Sequence, residues 1–249
     1  MILLLAALAA VLVGTVLQRV SGTGVGLVVA PVLSLLMGPA AGVLATNAVT
    51  TCSGLLVMLS VRRFVEWRHA AVLVAASVPG ILAGACVVHV VPGAWLQVAV
   101  GAVVLGGLAV TRFSPAVPHV SRRAAAVPAG MLGGFFNATA GVAAPAMVIY
   151  SRVTRWDQVR FAATMQPVFM SMGALSAASK LAAGVHFALP VPAPVALAAL
   201  VATVLAGIAV GSWAAHRVSK ATAQRLALAL AALGGVVVLV RGVTGLLGG

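Results

Sequence analysis

Residues 21–31 read SGTGVGLVVAP: glycines stand at 22, 24 and 26, and the apolar run that follows meets a proline at 31. Soluble proteins wrap glycine turns of this kind around phosphates. Here the turn interrupts a hydrophobic stretch that starts at the first residues of the chain. Residues 137–145, NATAGVAAP, repeat the device: a small, polar interruption and then a proline. The fold turns on what these two breaks do.

Across 249 residues the chain is 63% hydrophobic and 7% charged. A bilayer core of about 30 Å needs about 20 apolar residues per helix. Several runs meet that length, so the chain reads as an all-α polytopic membrane protein. Its net charge of +13 comes from 15 Lys and Arg against two acids, Glu66 and Asp157. In a soluble domain such a balance would suggest nucleic acid. Here the basic residues sit in short gaps between apolar runs, where topology signals belong, so no nucleic-acid partner is expected. Cys52 and Cys86 lack CxxC spacing, imply neither disulfide nor zinc, and read as buried spectator thiols. Met1–Ala10 has no basic leader and the apolar run continues through Leu17, which favours a first membrane helix over a signal peptide.

Four gaps, 62–69, 112–123, 152–160 and 216–225, each hold three Lys or Arg, whereas the gaps near Pro92 and at 186–194 hold none. The positive-inside rule puts all four basic gaps in the cytoplasm. The segment 124–151 must then leave and return on one side. Its 28 residues would run roughly 42 Å as one helix, at about 1.5 Å per residue. That is too long for one upright pass and too short for two. A re-entrant hairpin of two short helices, broken near 135–141, satisfies both counts. By the same reasoning residues 1–37 form a second hairpin broken at 22–26, and single crossings follow at 40–61, 70–91, 94–111, 161–181, 193–215 and 226–246. Eight plain helices, the first and fifth tilted and broken, are the rival arrangement.

The chain also repeats itself. Pro31 answers Pro145 at an offset of 114, Thr46 answers Thr164 at 118, LAG at 82–84 answers 205–207 at 123, and VLGGLAV at 104–110 answers ALGGVVV at 232–238 at 128. Four matches in order, with an offset that grows as loop insertions would make it, predict two repeats: residues 1–111 and 124–249, joined by a cytoplasmic linker at 112–123. Each repeat is a broken-helix hairpin plus three transmembrane helices. Three crossings invert the second copy, and inverted repeats with discontinuous helices are a secondary-transporter architecture.

The pattern resembles the TauE/SafE family of sulfite and organosulfonate exporters and related anion permeases. The resemblance rests on Gly22, Gly24, Gly26 and Pro31, on Ala45-Thr46-Asn47, on Glu66-Trp67-Arg68 with Gly80 and Gly84, and on a weaker second copy at Gly133, Gly141, Pro145 and Ala163-Thr164. It covers nearly the whole chain. Val25 stands where the family has a glycine, Asn47 where it has a serine, and Met165-Gln166 follow Thr164. The resemblance implies movement of a small anion across the cytoplasmic membrane, with export the commoner direction, and the Ala-, Val- and Arg-heavy, Lys-poor composition suggests a GC-rich bacterium.

The residues themselves suggest how. A helix that starts after a glycine turn aims free N–H groups and a positive dipole end at the gap. Glycine lets a ligand approach the backbone. The candidate anion-binding set is therefore Gly22, Thr23, Gly24, Gly26, Thr46, Asn47, Asn137, Thr139, Gly141, Thr164 and Gln166, with Pro31 and Pro145 marking the breaks. For the glycines, close helix packing is the competing role; for the amides it is interhelical bonding. Arg19 either reaches the anion near mid-membrane or ends the first helix and snorkels to the surface. Lys180 and Arg241 read as interfacial snorkels, and Glu66 and Asp157 as partners in cytoplasmic salt bridges beside Trp67 and Trp156 as belt anchors. No acid lies within a predicted span, so proton coupling would fall to His89 or His186. No catalytic set, metal site or cofactor motif occurs, and an enzyme is not expected. A non-transporting scaffold or accessory subunit stays open, as does homo-oligomerisation.

Overall fold

The computed structural model describes residues 2–21, 25–113, 119–185 and 191–248. Within them the chain is helical, and no strand occurs. The helices are α1 (Ile2–Ser21), α2 (Gly26–Met37), α3 (Pro39–Val61), α4 (Trp67–Val90), α5 (Gly93–Phe113), α6 (Arg122–Ala140), α7 (Ala144–Val153), α8 (Gln158–Ala182), α9 (Ala193–Ala214) and α10 (Lys220–Leu247), with a 3₁₀ turn at Arg62–Phe64. Among the described residues, six helical stretches are long and apolar enough to cross a bilayer: Leu3–Val20, Pro39–Phe64, Trp67–Val90, Gly93–Val110, Ala193–Ala214 and Ala221–Leu247. The protein is a multi-pass membrane protein. Its exposed leucines and valines, such as Leu82, Leu197 and Leu233, form the surface that such a protein presents to lipid.

Both breaks reverse the chain. Gly14 of α1 lies against Val25 and Val29 of α2, and Ala7, Val11, Val29, Leu33 and Leu36 pack together. Early residues of α1 thus face late residues of α2. In the second break, Gly133 of α6 meets Met147 of α7, and the Tyr150 hydroxyl donates to the Arg122 carbonyl (3.2 Å). The Val120 N–H donates to the Val153 carbonyl (2.8 Å), closing that hairpin at its open end. The arms are unequal, where two short helices were expected. α1 and α6 have 20 and 19 residues, against 12 and 10 for α2 and α7. At about 1.5 Å per residue the long arms reach roughly 28–30 Å and the short arms about half that.

Around the hairpins, α3 packs on α8 and α5 on α10, while α1 packs on α9 and α6 on α4. Both central pairs are antiparallel: Gly54 meets Gln166 while Gly173 meets Asn47, and Gly101 meets Gly235 while Gly242 meets Ala94. Exchanging the first five helices with the last five leaves these pairings unchanged, and it also maps α2 on α10 to α7 on α5. The repeated sequence signals meet across this exchange. Pro31 seats on Gly234, with a hypothetical Cβ there 2.8 Å from Pro31 Cβ, and Pro145 seats on Gly107. Each hairpin's proline thus packs on the LGG triplet of the other half. In a bilayer such contacts gain from small residues that let helices close up.

At one end, Glu66 gathers three of the four basic gaps. Its carboxylate accepts from Trp156 Nε1 (3.0 Å) and from Arg122 (3.1 Å), meets His69 at 2.9 Å and lies 3.8 Å from Arg160. Trp156, expected as a belt anchor, is buried, edge-to-face with Tyr150 and under the Arg122 guanidinium. Trp67 is exposed. Asp157 caps α8, accepting from the Arg160 N–H at 3.0 Å. Cys86, expected to be buried, is exposed on α4, and Cys52 is half-buried. α8 carries four buried polar side chains, Thr164, Gln166, Ser176 and Lys180.

The adjacent glycines of α5 give a test of the proline seat. A Cβ on Gly107 would overlap the Pro145 ring, whereas one on Gly106 would meet nothing within 4 Å. Gly107→Ala is expected to destabilise the folded protein by about 1–3 kcal/mol, as overpacking does. Gly106→Ala is expected to be neutral or to stabilise by up to about 1 kcal/mol through helix propensity. Reversible unfolding in bicelles measures both.

Candidate functional site

Two backbone turns make the site. Gly141 ends α6 in the left-handed region (φ 73°), with its N–H donating to the Asn137 carbonyl at 3.0 Å. Glycine holds that conformation without the steric penalty a Cβ brings. The chain then enters α7 at Ala144, with Pro145 in the first turn, where its missing N–H costs nothing. α2 begins at Gly26. No side chain caps the start of either short helix, so each keeps first-turn N–H groups without intrahelical partners.

The two turns touch. The Gly26 backbone lies directly against the Gly141 carbonyl, leaving no room for a Cβ, and Gly141 itself packs on Thr46 and Ala30. Between them is a cavity of about 10 Å³ lined by Gly26 and Leu27 from α2, by Gly141 to Ala144, and by Thr50, Asn137 and Phe169. It is the size of about one water. An oxyanion with three oxygens enters only if the hairpin tips move apart. The lining carries no fixed charge. The starts of α2 and α7 bring partial positive charge to it and the C-terminal end of α6 partial negative charge, and the Asn137 amide donates to Ser176 Oγ (3.0 Å).

The sequence-derived candidates separate into groups. Gly26, Asn137 and Gly141 line the cavity. Thr46 touches Gly141 through its methyl group, while its hydroxyl donates to the Gly42 carbonyl (2.8 Å). Thr139 donates in the same way to Phe135 (2.8 Å). Both hydroxyls are thereby engaged by their own helices. Asn47, fully buried, has neither amide atom partnered. Thr164 is carried to the charged end, where its hydroxyl accepts from the Glu66 N–H (3.0 Å). Gln166 accepts from Gln18 Nε2 (3.3 Å) and donates to the Ala162 carbonyl (3.1 Å), tying α8 to α1. The Arg19 stem lies on Gly211, and its Nε donates to Ser212 Oγ (2.9 Å) on α9. Pro31 and Pro145 take the seats on α10 and α5 described above. Gly22, Thr23 and Gly24 lie outside the described residues, as does His186.

Thr50, Phe169 and Ser176 join the site without having been singled out. Thr50 follows Thr46 by one turn, and Ser176 is recognisable only through its bond to Asn137. Phe169 gives no signal in sequence, being one apolar residue among many. Lys180 reverses its expected role: instead of snorkelling, it is 1% exposed, with its Nζ unpartnered. Arg241 is exposed and donates to the Leu35 carbonyl (3.2 Å). Among the described residues, no three His, Cys, Asp or Glu come together to hold a metal.

A helical bundle in which two half-length helices begin, uncapped, at one buried junction defines a membrane protein built around discontinuous helices. The chain belongs to the sulfite exporter TauE/SafE family, whose model matches residues 6–238. Comparison with curated proteins gives no match, and comparison with solved structures gives none.

The contact between Gly141 and Thr46 predicts an asymmetric pair of variants. Gly141→Ala places a Cβ at positive φ and 3.1 Å from Thr46 Cγ2, and is expected to cost about 1–3 kcal/mol. Adding Thr46→Ser removes that methyl group and should recover part of the steric cost, leaving the contact with the residue-46 Cβ (3.2 Å) and the backbone strain. A double-mutant cycle on unfolding free energies reads the coupling.

Proposed function

We propose that this protein is a secondary transporter that moves a small anion (sulfite, a sulfonate or a similar organic anion) outward across the bacterial cytoplasmic membrane. The anion is held where the starts of α2 and α7 converge. Residues 1–111 and 124–249 act as two inverted repeats around that point, joined by 112–123. One observation carries the reading: the start of α2 at Gly26 meets, backbone to backbone, the Gly141 turn that ends α6 and leads into α7, and no side chain caps either short helix. Non-helical backbone at bilayer depth is tolerated where it is buried in protein or lines a cavity. Helix N-termini aimed at an anionic group are a recurring device of transporters with broken helices. Membership of an exporter family supports outward movement. A negative-inside potential drives an anion the same way, by about 2.3 kcal/mol per charge per 100 mV.

Transport requires the junction to open, since the cavity of about 10 Å³ is smaller than sulfite. The Gly26–Gly141 contact is then the part that separates and reforms in each cycle. The engaged hydroxyls of Thr46 and Thr139 leave backbone N–H groups and the Asn137 amide as the donors, which suits a site that reads charge and size more than shape.

Proteoliposomes loaded with radiolabelled sulfite test the reading. The wild-type protein and Gly106→Ala are expected to release sulfite faster than protein-free liposomes, and faster still with a potential that favours anion exit. Gly26→Val, which forces a side chain against the Gly141 carbonyl, should reduce the rate per folded molecule by about 100-fold or more, in line with losing several kcal/mol of access or binding, with the folded fraction measured by size-exclusion chromatography. Equal flux from Gly26→Val and wild type would assign the glycines to packing. No flux of sulfite, sulfoacetate or isethionate from folded wild-type protein would favour the scaffold reading.

A further inference from the structure

Among the described residues, six buried side-chain atoms have no hydrogen-bond partner: Thr15 Oγ1, Gln18 Oε1, Ser34 Oγ, both amide atoms of Asn47, and Lys180 Nζ. Only the last belongs to a cation. Its counter-ion does not come from this chain's acids. The two carboxylate side chains are Glu66, held by arginines and His69, and Asp157, which caps the opposite end of the same helix. Lys180 lies 23 residues beyond Asp157 on α8, about 34 Å along the axis. Burying an ammonium with no hydrogen-bond partner is costly. A small anion arriving from outside the chain would supply the missing partner.

The position of Lys180 says where that partner passes. Just beyond it α8 ends: the Val185 N–H returns to the Lys180 carbonyl (2.9 Å), and Gly184 turns the chain with φ 80°. Gly184 and Val185 line an open vestibule of about 430 Å³, together with Met37 to Ala41, Val88, Val91, Gly93 and Leu96. On the inner side, Gly173, Ser176 and Lys180 share one buried stripe of α8. Gly173 packs on the Asn47 carbonyl, and Ser176 accepts from Asn137, which lines the junction cavity. A helical side chain leans toward the N-terminus of its helix, over the preceding turn. The lysine stem therefore points from the vestibule end back toward Ser176.

We propose that Lys180 is an anion station between the vestibule and the hairpin junction, its ammonium pairing with a small oxyanion of the sulfite or sulfonate class on its way out. The station rests on the anion-transport reading but adds a charged site to one otherwise made of dipoles. It also assigns a role to a lysine in a chain that has only two, Lys180 and Lys220.

That scarcity makes the test clean. The full-length protein in nanodiscs is treated with an acetylating ester, with and without sulfite, and acetylation at Lys180 is followed by mass spectrometry as a ratio to Lys220. Sulfite should slow Lys180 several-fold relative to Lys220, in proportion to occupancy. In calorimetric titration, Lys180→Met should weaken sulfite binding about 10-fold or more, as loss of a charge-assisted contact does, and Lys180→Arg should restore most of it. Sulfite binding in Lys180→Met equal to wild type, or an acetylation ratio that sulfite leaves unchanged, overturns the station. The labelling arm needs no variant, so it decides the matter if Lys180→Met does not fold. Wild-type flux with Lys180-independent binding discards the station and keeps the transporter. Lys180-dependent binding without flux in any liposome keeps the station and discards transport.

Discussion

The backbone contact between Gly26 and Gly141 is the constraint on which the rest of the architecture depends. The start of one short helix can lie against the turn that leads into the other only if neither carries a side chain at the point of approach. Both chains must also turn sharply enough to leave first-turn N–H groups facing inward. Gly141 does both, with φ of 73° and its back against Thr46 and Ala30. Once the tips are joined, the short arms need fixed seats, and Pro31 and Pro145 find them on Gly234 and Gly107. The α5–α10 pair therefore acts as a frame that holds both hairpins by their prolines.

Much of this layout was legible in the sequence because charge and spacing are one-dimensional signals. Basic gaps at 112–123 and 152–160 forced residues 124–151 to return to their own side, and the structure closes that loop with the bond between Val120 and Val153. The prolines and LGG triplets stood out by their repeat offsets, but nothing in the sequence said that each proline seats on the triplet of the other half. Contact partners across a bundle leave no trace in one chain's periodicity.

Facing direction was the information that hydropathy could not supply. Lys180 near a helix end and Trp156 within a basic gap both looked interfacial, yet both are buried. Each sits on the inward face of its segment, where neighbours from other helices cover it. Thr164, equivalent to Thr46 by offset, is drawn instead to the Glu66 amide. The charged end needs a cap there, and a hydroxyl on α8 is within reach. Hydroxyls near the breaks were legible as candidates, but their bonds to their own helices were not. That difference moves the chemistry of the site from side chains to backbone.

The sharpest test of the central claim is to locate an anion directly. Selenite resembles sulfite in shape and charge, and its selenium gives an anomalous signal in crystals of the full-length protein. The account predicts a peak within hydrogen-bond distance of the first N–H groups of α2 and α7, at Gly26–Leu27 and Ala143–Ala144, with the Gly26–Gly141 contact opened. Selenium found only on the Glu66, Arg122 and Arg160 cluster, with that contact still closed in a preparation that transports selenite, would contradict it.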